Sequence, residues 1–259
     1  MRGAENMAID EAIAQAVSAG DAPPTLRLYA WSPPCVSLGR NQAISSVSVD
    51  RCEALGYDIV RRPTGGRAIL HTDELTYSLI APDDHPLMQG MILEVYLRIA
   101  QGLLAGLRRI KLEAQTAPET NRAGSDASAA CFEVPSAYEI VVAGRKLLGS
   151  AQNRRAGYVL QHGSLPLTGD ITRLIDCLST ANEADREELR RSLSEHAVTV
   201  EQVLHRIVSY DEAADAIAAG MVEALDIELR PGNLTRAEVV RAEELEQGKY
   251  GRAEWTKRT

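Results

Sequence analysis

The sequence has few aromatics, no surplus of positive charge and no clustered cysteines, and each scarcity excludes something. Phe, Trp and Tyr make up 4% of the 259 residues, with Phe132 the single phenylalanine. An apolar core must therefore be assembled from Leu, Ile, Val and Ala. Net charge is −8, which argues against a general nucleic-acid binder, since these normally carry a basic surplus. No apolar run approaches the roughly 18 residues that a membrane span needs. Glu5, Asp10 and Glu11 interrupt the apolar stretch a secretory signal would require. Cys35, Cys52, Cys131 and Cys177 lie far apart, with no CxxC pair and no zinc-type Cys/His spacing. The chain thus reads as cytoplasmic with reduced thiols, and no metal is expected.

What is present is the make-up of a folded globular chain, 45% hydrophobic and 25% charged, which excludes disorder. Met7, Ile9, Ala12, Ile13, Ala16 and Val17 share one helical face over residues 6–19, and Gly20 supplies a stop. TLRLYAW and CVSLG read as strands, and residues 49–56 as a short helix. The stretch from Asp58 to Pro82 reads as strand, loop, strand, strand, and residues 88–110 as a long helix with basic residues at its end. Residues 114–130 are small and polar, as in a flexible loop. AYEIVVA, KLLGSAQNR and YVLQHGSLPL are strand-like, the first two joined as a hairpin at Gly144-Arg145. From Asp170 the texture turns helical, including a run over VEQVLHRIVSY. The expected fold class is α+β: a mixed β-sheet core flanked by helices, with a helical C-terminal portion, in a single domain over 1–259.

Candidate chemistry concentrates in a few places. In RRPTGGRAILH, Gly65 and Gly66 free the backbone for a tight turn or for close approach of a ligand, and Arg61, Arg62 and Arg67 offer partners for an anion. Alone, this stretch reads more often as a plain turn. Cys131 stands at the end of the small polar loop, where packing, the usual role of a lone cysteine, is less expected than in an apolar run. A reactive thiol needs a positive neighbour that favours the thiolate, and Lys146 on the following hairpin is a candidate. His162 sits on an apolar strand, where a backbone carbonyl is its expected partner. Cys35, Cys52 and Cys177 fall in apolar patterns and are assigned to packing.

Together, GAENMAIDEA, LGRNQ, RRPTGGRAILHTDELTYSL, CFEVPSAYEIVVAGRKLLGSAQNR and LQHGSL resemble the lipoate–protein ligase A / biotin protein ligase superfamily, over nearly the whole chain. Two features resemble its cysteine-dependent octanoyltransferase branch: Arg67, where ATP-using members more often have a third glycine, and Cys131 ahead of the PSAYEI strand. The resemblance implies a biotin/lipoate protein ligase-like fold that carries octanoate from acyl carrier protein to lipoyl domains such as the glycine cleavage H protein. Cys131 would be the acyl-thioester nucleophile and Lys146 would lower its pKa. Arg62, Gly65, Gly66, Arg67, Ala68, His71, Gly149, Ser150, Ala151, His162 and Gly163 would bind substrate.

The resemblance further implies no ATP, no metal and no other cofactor, since a thioester is already activated. A monomer is expected, with neither nucleic acid nor membrane as partner. Arg108, Arg109, Lys111, Arg145, Arg154 and Arg155 are candidates for docking acidic protein substrates. Members usually carry a strand ahead of the first helix, which this sequence does not show. An ATP-dependent lipoate ligase, an amidotransferase between lipoyl domains and a non-catalytic acyl-carrier-binding module are the alternatives.

Overall fold

The computed structural model describes residues 1–117 and 139–258. Its strands are β1 (Thr25–Tyr29), β2 (Cys35–Leu38), β3 (Asp58–Arg61), β4 (Ile69–His71), β5 (Glu74–Ala81), β6 (Gln115–Thr116), β7 (Ile140–Val142), β8 (Arg145–Arg155) and β9 (Tyr158–Pro166). Its α-helices are α1 (Gly3–Ala19), α2 (Val49–Ala54), α3 (Ile92–Arg109), α4 (Leu174–Cys177), α5 (Glu183–His196), α6 (Val200–Leu204), α7 (Tyr210–Leu225), α8 (Arg236–Leu245) and α9 (Ala253–Lys257). Among the described residues, no helix is long and apolar enough to cross a membrane.

Six strands form an antiparallel sheet in the order β1-β5-β9-β8-β7-β6. The mixed pairing expected of the core is confined to a second sheet, β3-β2-β4, in which β2 runs parallel to β3 and antiparallel to β4. Strand alternation divides the large sheet into two unlike faces. Leu75, Tyr77 and Leu79 of β5, with Val159 and Leu165 of β9, join Ile99, Leu103, Leu107, Ile217 and Met221 in one apolar cluster under α3 and α7. The intervening residues of β5 are Glu74, Thr76, Ser78 and Ile80, all buried, and only Ile80 is apolar. This second face packs partly on Met7, Ile9 and Ile13 of α1. Register sets Thr76 opposite Ser164 and Ser78 opposite His162, so its polar residues gather in one place.

The helices after Asp170 do not form a layer of their own. α4 and α5 cover the small sheet, α7 lies along α3, and α8 and α9 return to α1 and β3. The run expected over VEQVLHRIVSY breaks: α6 ends at Leu204 and His205 turns left-handed at φ 54°. The Ser209 hydroxyl then accepts from Glu212 N at 3.1 Å to start α7, so two capping signals outweigh a continuous apolar period. Cys35, Cys52 and Cys177 are buried in apolar clusters, as their patterns suggested. Cys131 and residues 118–130 of the expected loop lie outside the described residues.

Glycine sets the distance between α3 and α7. A Cβ on Gly220 would fall 2.1 Å from Gly106 N and 2.6 Å from Gly102 O, so the two helix backbones touch there. Gly220→Ala must push them apart, at a cost of about 1–3 kcal/mol. Thermal unfolding should show a loss of about 2–10 °C in Tm, while Gly232→Ala, with open space around its Cβ, should leave Tm unchanged. Equal Tm values for the two variants would contradict this packing.

Candidate active site

A cavity of about 260 Å³ opens between the Thr64–Gly66 loop and the polar face of the large sheet. The small size of β8 on that face hollows it out: Gly149 and Ala151 stand opposite Ser164 and His162. Gly163 lets the strands close up on the other face, where a Cβ would lie 2.6 Å from Gly149 O, Ser150 Oγ and Tyr77 Cε1. Gly65 and Gly66 are exposed at the rim, and Gly66 has φ +96°, a backbone conformation that favours glycine. Met7, Tyr29 and Trp31 close the opposite, buried side.

Of the residues singled out in the sequence, Arg62, Gly65, Gly66, His71, Gly149, Ser150, Ala151, His162 and Gly163 all line this cavity. Ala68 does not. It is buried in the apolar cluster of the small sheet with Val36 and Leu38, because the chain turns inward there to start β4. Arg67 is also off the wall, and its carbonyl accepts from Arg62 Nη2 at 2.7 Å.

The arginines beside the glycine loop do not present themselves to an anion as expected. Arg62 is buried and spends its guanidinium on the protein: Ser37 O at 2.8 Å, Gly65 O at 2.9 Å and Arg67 O at 2.7 Å. It acts as an internal clamp on the loop. Arg61 points away from the cavity and likewise donates to main-chain carbonyls.

Two buried carboxylates fix the two cavity histidines, and neither carboxylate was evident from local sequence. Arg62 Nη1 donates to Ser37 Oγ at 3.1 Å, and that hydroxyl lies 2.7 Å from His71 Nε2. The Glu74 carboxylate can only accept, so His71 carries a proton on Nδ1, 2.7 Å from Glu74 Oε1. Burial pushes the Glu74 carboxyl up, but His71, Ser164 and Thr76 outweigh it and hold it below the ordinary carboxylate range. Trp31 stacks on the His71 ring at 4.0 Å and donates to Thr76 Oγ1 at 2.8 Å, which locks the ring plane.

Asp10 lies behind His162 at a longer distance. It accepts from Arg27 Nη1 at 2.7 Å, Ser78 Oγ at 2.9 Å and Tyr29 OH at 2.9 Å, and His162 Nδ1 lies 3.8 Å from its Oδ2. Burial raises the Asp10 carboxyl, yet Arg27 and His162 bring it below its ordinary value. For His162, burial dominates and pushes the imidazole down despite Asp10. Its Nε2 is 2.6 Å from Thr64 Oγ1. The partners of this histidine are side chains, where a backbone carbonyl was expected.

Lys146 is fully buried just behind the wall, its Nζ 2.5 Å from Glu139 Oε1, and Glu139 itself reaches the cavity. Gly149 makes the space: a Cβ there would fall 2.7 Å from Lys146 Cε and 3.0 Å from Nζ. Glu139 follows directly on the residues that are not described, so the position of Cys131 relative to Lys146 lies outside the described residues.

The arrangement offers a pocket lined by aromatic rings, small residues, Arg62 and Glu139, with the Lys146 ammonium buried just behind one wall. The sequence profile of the lipoyl protein ligase A/B catalytic domain matches residues 2–222. An octanoyltransferase LipM from Kyrpidia tusciae is 45% identical over 258 residues, covering 98% of this chain and 94% of its own. Another from Moorella thermoacetica is 45% identical over 257 residues, covering 98% and 93%. Among solved structures, a bipartite lipoate protein ligase from Thermoplasma acidophilum superposes with a TM-score of 0.81 at 26% identity, covering 98% of this chain and 91% of that one. A lipoate-protein ligase A bound with ATP gives 0.80 at 26% identity, covering 98% and 93%.

Holding His162 neutral has a consequence for stability. Its pKa is depressed in the folded protein, so below the ordinary histidine value of about 6.5 the unfolded chain binds a proton that the folded one does not. Stability should therefore fall as pH drops from about 6.5 towards 5. Urea unfolding across that range should show a shallower decline for His162→Gln than for the wild type. Parallel profiles would contradict this assignment.

Proposed function

The chain belongs to the lipoyl protein ligase A/B catalytic-domain family, and on that premise we propose that it is an octanoyltransferase working as one catalytic domain over residues 1–259. The donor is octanoyl-acyl carrier protein, and the acceptor is the target lysine of a lipoyl domain such as the glycine cleavage H protein. The observation that carries this reading is the cavity with Lys146 directly behind Gly149.

Transfer proceeds in two halves. Cys131, as thiolate, attacks the thioester carbonyl of the donor, and backbone N–H groups of the Gly65-Gly66 loop stabilise the oxyanion. The carrier thiol leaves with a proton, and the octanoyl group stays on Cys131. The acceptor lysine amine then attacks this second thioester, loses a proton, forms the amide and frees the cysteine. The positive charge of Lys146 favours the Cys131 thiolate, and the Glu139 carboxylate holds that lysine at the wall. Burial of the alkyl chain supplies about 0.8 kcal/mol per methylene. The thioester is already activated, so neither ATP nor a metal enters the scheme. Asp10 and Glu74 work one step back, setting the tautomers of His162 and His71.

Mixing the protein with octanoyl-acyl carrier protein, without ATP, should add one octanoyl group to the intact mass. Hydroxylamine should remove it, an apo lipoyl domain should discharge it, and Cys131→Ser should never acquire it. Lys146→Ala should form the adduct about a hundredfold more slowly near neutral pH. No adduct on the wild type, or an adduct that survives in folded Cys131→Ser, would overturn the reading.

A further inference from the structure

Arg61 gathers basic residues that the scheme above does not use. Its buried guanidinium donates to Gly39 O at 2.7 Å, Arg40 O at 3.3 Å and Gln42 O at 2.6 Å from one nitrogen. The other terminal nitrogen donates to Thr256 O at 2.8 Å, and Trp255 Nε1 returns a bond to Arg61 O at 2.8 Å. One side chain thus staples the segment after β2 to the C-terminal segment. Each stapled segment presents an arginine of its own. Arg40 stands on the first, and Arg258 on the second, its guanidinium 3.3 Å from the centre of the Trp255 ring.

Arg155, at the turn between β8 and β9, is a third member. Burial first, then the charges of Arg40 and Arg155, push the Arg258 guanidinium down, so the three lie within electrostatic reach. Among the described residues, no carboxylate pairs with any of them, while fifteen other basic–acidic contacts are made elsewhere. Glu11, on the same side of the sheet, is committed to Lys249 at 2.5 Å and to the Tyr250 hydroxyl. Like charges gathered without a counter-charge, in a chain of net charge −8, leave an anion as the missing partner.

The cluster adjoins the rim of the cavity. Arg40 N donates to Thr64 O at 2.8 Å. Gly39 packs so closely on the glycine loop that a Cβ there would fall 1.8 Å from Gly66 O. The basic face expected at Arg154 and Arg155 is not a single surface, because neighbouring strand residues point to opposite faces. Arg154 Nη1 is turned to Gly90 O at 2.8 Å.

We propose that Arg40 and Arg258, with Arg155 beside them, form a phosphate site at the rim, which holds the phosphate of the acyl donor's phosphopantetheine arm. The proposal rests on the transferase reading and specifies how its donor is recognised. Guanidinium groups match phosphate oxygens in pairs, and a phosphate between them relieves their mutual repulsion. With the acyl chain in the cavity, the rest of the donor must leave past the rim. A carrier-protein arm and free coenzyme A share this phosphate chemistry.

The test compares acyl-enzyme formation from three donors: octanoyl-acyl carrier protein, octanoyl-coenzyme A and octanoyl-pantetheine, which has no phosphate. In Arg40→Gln and in Arg258→Gln, kcat/KM for each phosphate-bearing donor, relative to octanoyl-pantetheine, should fall about tenfold. Arg258→Lys should recover part of the loss, which a merely structural role would not predict. A fall confined to the carrier-protein donor would overturn the phosphate site in favour of an acidic protein face. An unchanged ratio for all donors would also overturn it. Wild-type reaction with octanoyl-acyl carrier protein depends on the transferase reading alone, so its absence would overturn both, whereas its presence with an unchanged ratio removes only the phosphate site.

Discussion

A buried guanidinium must find acceptors, and this requirement, met twice in succession at Arg61 and Arg62, holds the site together. The two side chains leave the end of β3 on opposite sides. Arg62 gathers the carbonyls of Ser37, Gly65 and Arg67 and so shapes the glycine loop that roofs the cavity. Arg61 gathers those of Gly39, Arg40, Gln42 and Thr256 and so binds the C-terminal segment to the same loop region. Substituting either would leave several buried carbonyls without donors, each a cost of about 1–3 kcal/mol.

Beneath that roof, the sheet supplies a floor of two kinds. Small residues at 149 and 151 remove side-chain volume, while Glu74, Thr76, Ser78 and Asp10 anchor polar groups at the edges. Asp10 and Glu74 stay behind the surface, while Arg62 and Glu139 reach it. His71 meets the cavity with Nδ1 turned back on Glu74, and His162 with Nδ1 3.8 Å from Asp10. An alkyl chain entering the space therefore faces imidazole, indole and backbone beside Arg62 and Glu139. The same construction brings the Lys146 ammonium close to the wall without admitting it to the cavity.

Much of this was legible in the sequence. Alternation of Leu75, Tyr77 and Leu79 in ELTYSLIA identified β5 and its apolar face, while only the family resemblance pointed to the glycines of TGG, LLGSA and HGS as substrate-binding. What was not legible depends on partners distant in the chain. Asp10 sits among Ile9, Ala12 and Ile13 on a helix that reads as apolar, and only the return of β1, β5 and β9 gives it Arg27, Ser78 and His162. Glu74 follows Asp73 at the start of β5, and only the pairing with β9 gives it Ser164. Arg61 and Arg62 read as anion partners because charge suggests a ligand, whereas burial directed them to carbonyls. Arg258 carried no signal at all until the Arg61 staple placed it beside Arg40.

The most direct test of the account is the crystal structure of the protein carrying an octanoyl group. The account predicts the alkyl chain inside the cavity, between Gly65-Gly66 and Gly149–Ala151, with its end against Met7 and Trp31. A chain lying outside this space, with the cavity left empty, would contradict it.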